Sequence, residues 1–198
     1  MTEMELREKI RRYEPFNEQE REDKKEILRQ MEQADHILTR DNRNAHITVS
    51  ARIMDRDRKK VLMAYHNLYQ SWAWLGGHAD GDADLKAVAL KEIREESGLE
   101  SIRFVTEDIF SLEILTVDGH EKRGSYVPSH LHLNVTYLLE ADPELPLRIK
   151  EDENSEIGWI GVEEIQRRST EKWFVERIYS KLCKKAQSLR NGKLAIPE

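Results

Sequence analysis

Glu92, Glu95 and Glu96 follow one another at i, i+3 and i+4 in a stretch of helical pattern. At about 100° per residue, three such side chains share one helix face. Their charges repel there unless a cation lies between them. A Glu-rich helix face is ordinarily just solvated, but here Leu85, Val88 and Ala89 project in the same direction, while Lys86, Lys91 and Arg94 point elsewhere. A stripe that begins apolar and turns acidic in its last two turns aims its carboxylates at a cleft. Clustered carboxylate oxygens suit a hard divalent cation such as Mg²⁺ or Mn²⁺, which keeps several waters and is commonly shared with substrate phosphates. Just upstream, Gly76 and Gly77 let a loop backbone approach a ligand, or let the Gly76 carbonyl reach the metal, although an ordinary turn accounts for a glycine pair equally well.

The elements that must position these groups fall into three zones. Residues 1–45 read as two amphipathic helices, with Asn17 and Glu20 as a helix start and Ile27, Leu28, Met31 and Ala34 at helical spacing. Residues 46–165 change period. Ile47, Val49, Ala51 and Ile53 alternate with polar residues, as in a half-buried strand, and Val61–Tyr65 pairs with it as a hairpin. A short extended piece, Trp72–Leu75, precedes a helix from Asp84 to Ser97 that Gly98 terminates. Further strands fall at 110–117, 131–139 and 157–160. Residues 166–198 carry a last helix, with Trp173, Phe174, Ile178, Leu182 and Leu189 on one apolar side. Strands and helices without regular alternation imply an α+β fold with a mixed sheet.

Composition excludes several classes. The 198 residues carry 38 acidic and 32 basic side chains, a formal charge of −6, which argues against binding nucleic acid or an anionic membrane. A single cysteine, Cys183, permits no intrachain disulfide and reads as structural or surface. No apolar run approaches the roughly 18 residues of a membrane span, and the first residues lack a signal-peptide pattern. The expectation is a soluble cytoplasmic protein.

The segment 77–99 resembles the signature of the Nudix hydrolase superfamily. It reads Gly77, five residues, Ala83, seven residues, then Lys91-Glu92-Ile93-Arg94-Glu95-Glu96-Ser97-Gly98-Leu99, and keeps the 23-residue spacing without a gap. The text Trp74–Gly81 is similar to one branch of that superfamily. Two positions depart from the signature: its first Glu is Ala83, flanked by Asp82 and Asp84, and its Arg is Lys91, a point charge in place of a planar fork. The resemblance implies a mixed sheet sandwiched between helices over 46–165, with the terminal helices as additions. It implies metal ligation by Glu92, Glu95 and Glu96, with Gly77, Lys91 and Gly98 supporting the box. It also implies one more carboxylate from the loop before the last core strand, for which Glu153 stands out among the acids at 151–156, with Glu92 or Glu153 as general base. The implied activity is hydrolysis of a pyrophosphate bond in a nucleoside diphosphate linked to another moiety, with a possible homodimer. The alternative is a nucleotide-sensing module that binds without cleaving, which Ala83 and Lys91 favour; a scaffold docking through its terminal helices is a third reading.

Outside the box, Trp72 and Trp74 lie two apart and would share a side of an extended chain, where with Tyr65 they could stack a nucleobase; core packing competes for at least one tryptophan. His78 could meet phosphate. His130 and His132 share a strand face and read as pocket or packing residues. Lys122 and Arg123 lie in a loop where they could meet phosphate, with a solvated turn as the alternative.

Overall fold

The structure, a computed structural model, describes residues 1–122 and 124–190, without the side chains of 122 and 190. Arg123 and the side chain of Lys122, considered above for phosphate, lie outside the described residues. Helices α1 (Glu3–Arg12) and α2 (Glu18–Gln33) lead into strands β1 (Ala45–Met54), β2 (Lys60–His66), β3 (Ser71–Ala73) and β4 (Leu75–His78). Helix α3 (Leu85–Ser97) follows, then β5 (Ile102–Phe104), β6 (Ser111–Val117), β7 (His120–Lys122), β8 (Ser125–Val127), β9 (His130–Ala141) and β10 (Asn154–Gly161). The last described elements are a short α4 (Ile165–Arg168), a π-helical turn (Phe174–Tyr179) and α5 (Ser180–Arg190).

Among the described residues, eight strands form one mixed sheet with the path β10-β2-β1-β9-β5; β3 pairs with β2, β4 with β1 and β6 with β9. β7 and β8 make a separate hairpin. The central pairing is β1 with β9, parallel from Ala45↔Leu131 to Met54↔Glu140. Partners in register point to the same side of a sheet, so the alternation in both strands coincides. Ile47, Val49, Ala51 and Ile53 meet Leu133, Val135, Tyr137 and Leu139 on one face, where Leu85, Val88, Ala89 and Ile93 of α3 join the same core.

The other face holds His46, Thr48, Ser50 and Arg52 against His132, Asn134, Thr136 and Leu138. Here the expectation of a half-buried β1 is corrected. All ten of its residues are buried, because the C-terminal helices cover the polar face. Buried polar atoms must find partners, and most do. Thr48 and Ser50 each donate to Asn134 Oδ1 at 3.0 Å. Asn134 Nδ2 and Thr136 Oγ1 donate to Glu113 Oε2 at 3.1 and 2.8 Å. From Glu113 the network reaches Lys181 of α5, whose Nζ lies 2.9 Å from Glu113 Oε1 and 3.1 Å from Glu20 Oε1 on α2. Burial opposes the charged form of both partners. The carboxylates Glu113 and Glu20 nevertheless hold the Lys181 ammonium above its usual range, and Lys181 and Lys185 hold Glu20 below its own. Thus α2 and α5 are tied to the sheet by buried charge, while Leu6 and Ile10 of α1 and Ile27 and Met31 of α2 join the core.

Three local expectations change. β1 and β2 do meet as an antiparallel hairpin across the turn at 55–59, but a short one: beyond the register pair Met54↔Val61, β4 takes the place beside β1 (Thr48↔His78 to Ala51↔Leu75). The extended piece at 72–75 is two strands broken at Trp74, one on β2 and one on β1. In the last helix the π turn brings Val175, Ile178 and Tyr179 inward and leaves Trp173 exposed. The start of α2 is as read: Asn17 Oδ1 accepts from the Glu20 amide at 3.0 Å.

Removing one member of a buried ion network leaves the others uncompensated, at a cost of about 3–5 kcal/mol. Lys181→Met is therefore expected to lower unfolding stability by about that much in urea titration; a loss below about 1 kcal/mol, the scale of an exposed pair, would contradict the structure.

Candidate active site

A cavity of about 570 Å³ opens at the end of the polar face, lined by β1, β4, α3 and the loop before β10. Asp84 caps α3, accepting from the Ala87 amide at 3.4 Å, and Gly98 closes it with φ 71°, a left-handed conformation that costs glycine nothing. Between these ends the helix turns Glu92, Glu95 and Glu96 into the cavity. Glu96 is buried, and its Oε2 accepts from the Gly76 amide at 3.2 Å.

Contact with backbone requires glycine at 76, and a side chain at 77 would displace the Glu92 carboxylate. A Cβ on Gly77 would stand 2.6 Å from Glu92 Cδ, and one on Gly76 would stand 2.2 Å from the Val49 carbonyl oxygen. The missing side chains let β4 pack between β1 and the carboxylates. Lys91 Nζ lies 3.8 Å from Glu92 and 3.7 Å from Glu95, spanning both as a loose point charge. Lys150 Nζ is 2.9 Å from Glu153 and 3.9 Å from Glu95, so it brings the loop carboxylate to the box helix. Ala83 is packed in the apolar core, Asp84 is occupied as the cap, and the Asp82 carboxylate accepts from the Asp84 amide at 2.7 Å. No carboxylate among these three lines the cavity.

Like charges and low dielectric both disfavour ionisation. Burial, then Glu95, raises the Glu92 carboxyl above its usual range. Burial, then Glu92, pushes Glu96 up to about 8, against the opposing Gly76 hydrogen bond. A divalent cation would offset the like charges and favour the ionised carboxylates. The donor set fits one, since it offers hard oxygens from Glu92, Glu95 and Glu96, with the Gly76 backbone brought against Glu96.

Of the other residues singled out in the sequence, Trp74 and His78 line the cavity, whereas Trp72 and Tyr65 do not. The β2–β3 register pairs Tyr65 with Trp72, and their rings meet edge to face at 6.0 Å in the apolar cluster; Ala64 and Ala73, on the opposite pleat, line the cavity instead. Trp72 and Trp74 pack against the same apolar cluster despite the break at Trp74, which meets Tyr179 edge to face at 5.6 Å, and of the two Trp74 also lines the cavity. His130 and His132 both line the cavity. Cys183 is half-buried and accepts from the Arg52 guanidinium at 2.8 Å. Sequence reasoning missed His46, which register alone brings to His132, and Lys150, whose one available signal is its i, i+3 spacing to Glu153. It also missed Arg40, which forks onto Asp80 at the cavity rim, with 2.8 Å from its Nε to Oδ1.

The sequence model of the NUDIX domain matches residues 44–182, and the chain belongs to that family. Among solved structures it resembles an Ap4A hydrolase from C. elegans in a binary complex, at 17% identity over 74% of this chain and 98% of that one, with a TM-score of 0.51. It also resembles the E. coli dihydroneopterin triphosphate pyrophosphohydrolase, at 13% identity over 68% of this chain and 95% of that one, with a TM-score of 0.50. At such identities the likeness is one of fold. Curated proteins give no sequence match.

The raised Glu96 carboxyl has a consequence for stability. In the cation-free protein it holds a proton that the unfolded chain, at 4.5, has released. The folded state binds more protons in that window, so the contribution is full below the unfolded value and lost as pH rises through about 8. In chelator, the melting temperature of wild type is expected to fall relative to that of Glu96→Gln between pH 5 and 8.5, and added Mg²⁺ to reduce the difference at the alkaline end. Parallel wild-type and variant profiles would contradict this.

Proposed function

We propose that the protein is a Mg²⁺- or Mn²⁺-dependent pyrophosphohydrolase acting on a nucleoside diphosphate linked to another moiety. The observation that carries the reading is the convergence of Glu92, Glu95, Glu96 and Glu153 on one wall of the cavity, with Lys91 and Lys150 beside them. Glu92, Glu95 and Glu96 would hold the cation, with the Gly76 carbonyl as a further donor. When bound, it would offset phosphate charge, polarise a phosphoryl oxygen and make a water more acidic.

The chain's own groups supply the rest. Lys150 and Lys91 draw the phosphates toward the carboxylates. Water attacks phosphorus, a new P–O bond forms, and the anhydride P–O bond breaks with the electron pair leaving on the departing phosphate. Glu153 or Glu92 accepts the water's proton. Glu92 is suited by its place on the cavity wall, and Glu153 by its place on a loop beside the box helix. Trp74 and Tyr69 line the cavity and offer ring faces to a base. The two solved neighbours are named for Ap4A and dihydroneopterin triphosphate; a chain of phosphates is the class of substrate carried over here.

One observation favours a second reading, a module that binds nucleotide without cleaving it. Ala83 is sealed in the core, and Lys91 touches its carboxylates only at 3.7–3.8 Å, so the box holds fewer and looser charges than its signature.

The test is phosphate release from a panel of nucleoside diphosphate derivatives with Mg²⁺, with Mn²⁺ and with chelator. Release is expected to require the cation and to fall at least about 100-fold in Glu95→Gln, near 2.7 kcal/mol of barrier. Release that survives Glu95→Gln together with Glu96→Gln would contradict the hydrolase reading. Thermal stabilisation by one nucleotide with no release across the panel would select the binding module.

A further inference from the structure

Six of the seven histidines line the same cavity. Their placement follows from register. His46 on β1 stands opposite His132 on β9, and His130 lies two residues before His132 on the same pleat. His46 packs within 4.9 Å of His130 and 5.2 Å of His132, measured between ring centroids. One ligand atom from each of the three lies within 4.8 Å of the others. None belongs to the carboxylate box.

Two of these rings are held through Nδ1 with Nε2 left to the cluster, where His130 Nε2 pairs with His132 Nε2. His130 Nδ1 is 2.9 Å from the Pro128 carbonyl, and His46 Nδ1 is 3.0 Å from the Asn42 carbonyl. A carbonyl only accepts, so each Nδ1 carries the proton and each Nε2 presents a lone pair. That is the outer-shell arrangement by which metal-binding histidines are oriented. His46 is 4% exposed, and its Nε2 is buried with no hydrogen-bond partner. His130 Nε2 and His132 Nε2 are 3.2 Å apart. Two nitrogens bound tetrahedrally at about 2.0–2.1 Å to one zinc ion stand about 3.3 Å apart.

We propose that His46, His130 and His132 form a second cation site for a borderline transition metal of the Zn²⁺ type, with its fourth coordination position open to the cavity. Neutral imidazole selects such an ion, as carboxylate selects Mg²⁺. Three protein ligands with an open position is the pattern of a zinc site that takes water or a substrate atom as its fourth ligand. An anionic oxygen from the end of a substrate remote from the box carboxylates is the group that position would take.

The test uses the full chain without an affinity tag, stripped with chelator and titrated with Co²⁺ alone. One equivalent is expected to produce visible bands of tetrahedral intensity, which Zn²⁺ then bleaches. His130→Gln and His132→Gln should each weaken that binding at least 100-fold, while Glu95→Gln keeps the bands. His130 is half-exposed, so its variant is expected to melt close to wild type and serves as the folded control. Absence of tetrahedral bands in wild type, bands that survive both histidine changes, or bands lost in Glu95→Gln would each overturn the proposal. No substrate is involved, so a failed phosphate-release panel leaves this result standing and the reverse also holds.

Discussion

The register of β1 on β9 is the constraint on which the rest of the molecule depends. Ten parallel pairs, from Ala45↔Leu131 to Met54↔Glu140, align two alternating sequences so that apolar meets apolar on one face, while on the other polar meets polar from His46↔His132 to Ser50↔Thr136. A slip of one residue would turn every side chain to the wrong side. The apolar face receives α3 and so sets the direction in which the box carboxylates point. The polar face starts at the cavity with His46 and His132 and continues through Thr48, Ser50, Asn134 and Thr136 to the buried charges of Glu113 and Lys181.

That polar layer makes the terminal helices part of the same structural problem as the site. A buried Glu113 needs a cation, which α5 supplies as Lys181; Lys181 in turn contacts Glu20 of α2. The charges balance only when both ends of the chain are docked. At the cavity end the problem is inverted. Glu92 and Glu96 are crowded against each other and against the backbone at Gly76 and Gly77, with Lys91 too distant to neutralise them. One end of the layer is internally compensated and the other is left with excess negative charge facing a cavity. The first arrangement gives stability, and the second gives a place for a cation.

What the sequence made legible was local. The box helix, its Asp84 start, its Gly98 stop and the common direction of Glu92, Glu95 and Glu96 follow from spacing within one element. Features that depend on which strands become neighbours were not legible. The alternation in β1 reads as half-buried, since nothing in those ten residues says that helices from the far end of the chain will cover the polar side. Trp72 and Trp74 pack against one apolar cluster, and the spacing of two does not tell that Trp74, at the break between β3 and β4, also reaches the cavity. His46 lies 84 residues before His130 (130 minus 46), and the parallel register alone brings them together.

The central claim is that the carboxylates of α3 form a cation site. Anomalous diffraction from crystals soaked in Mn²⁺, recorded on both sides of the manganese absorption edge, tests it most directly. The account predicts an edge-dependent peak among the carboxylate oxygens of Glu92, Glu95 and Glu96. Well-ordered carboxylates without such a peak at saturating Mn²⁺ would contradict it.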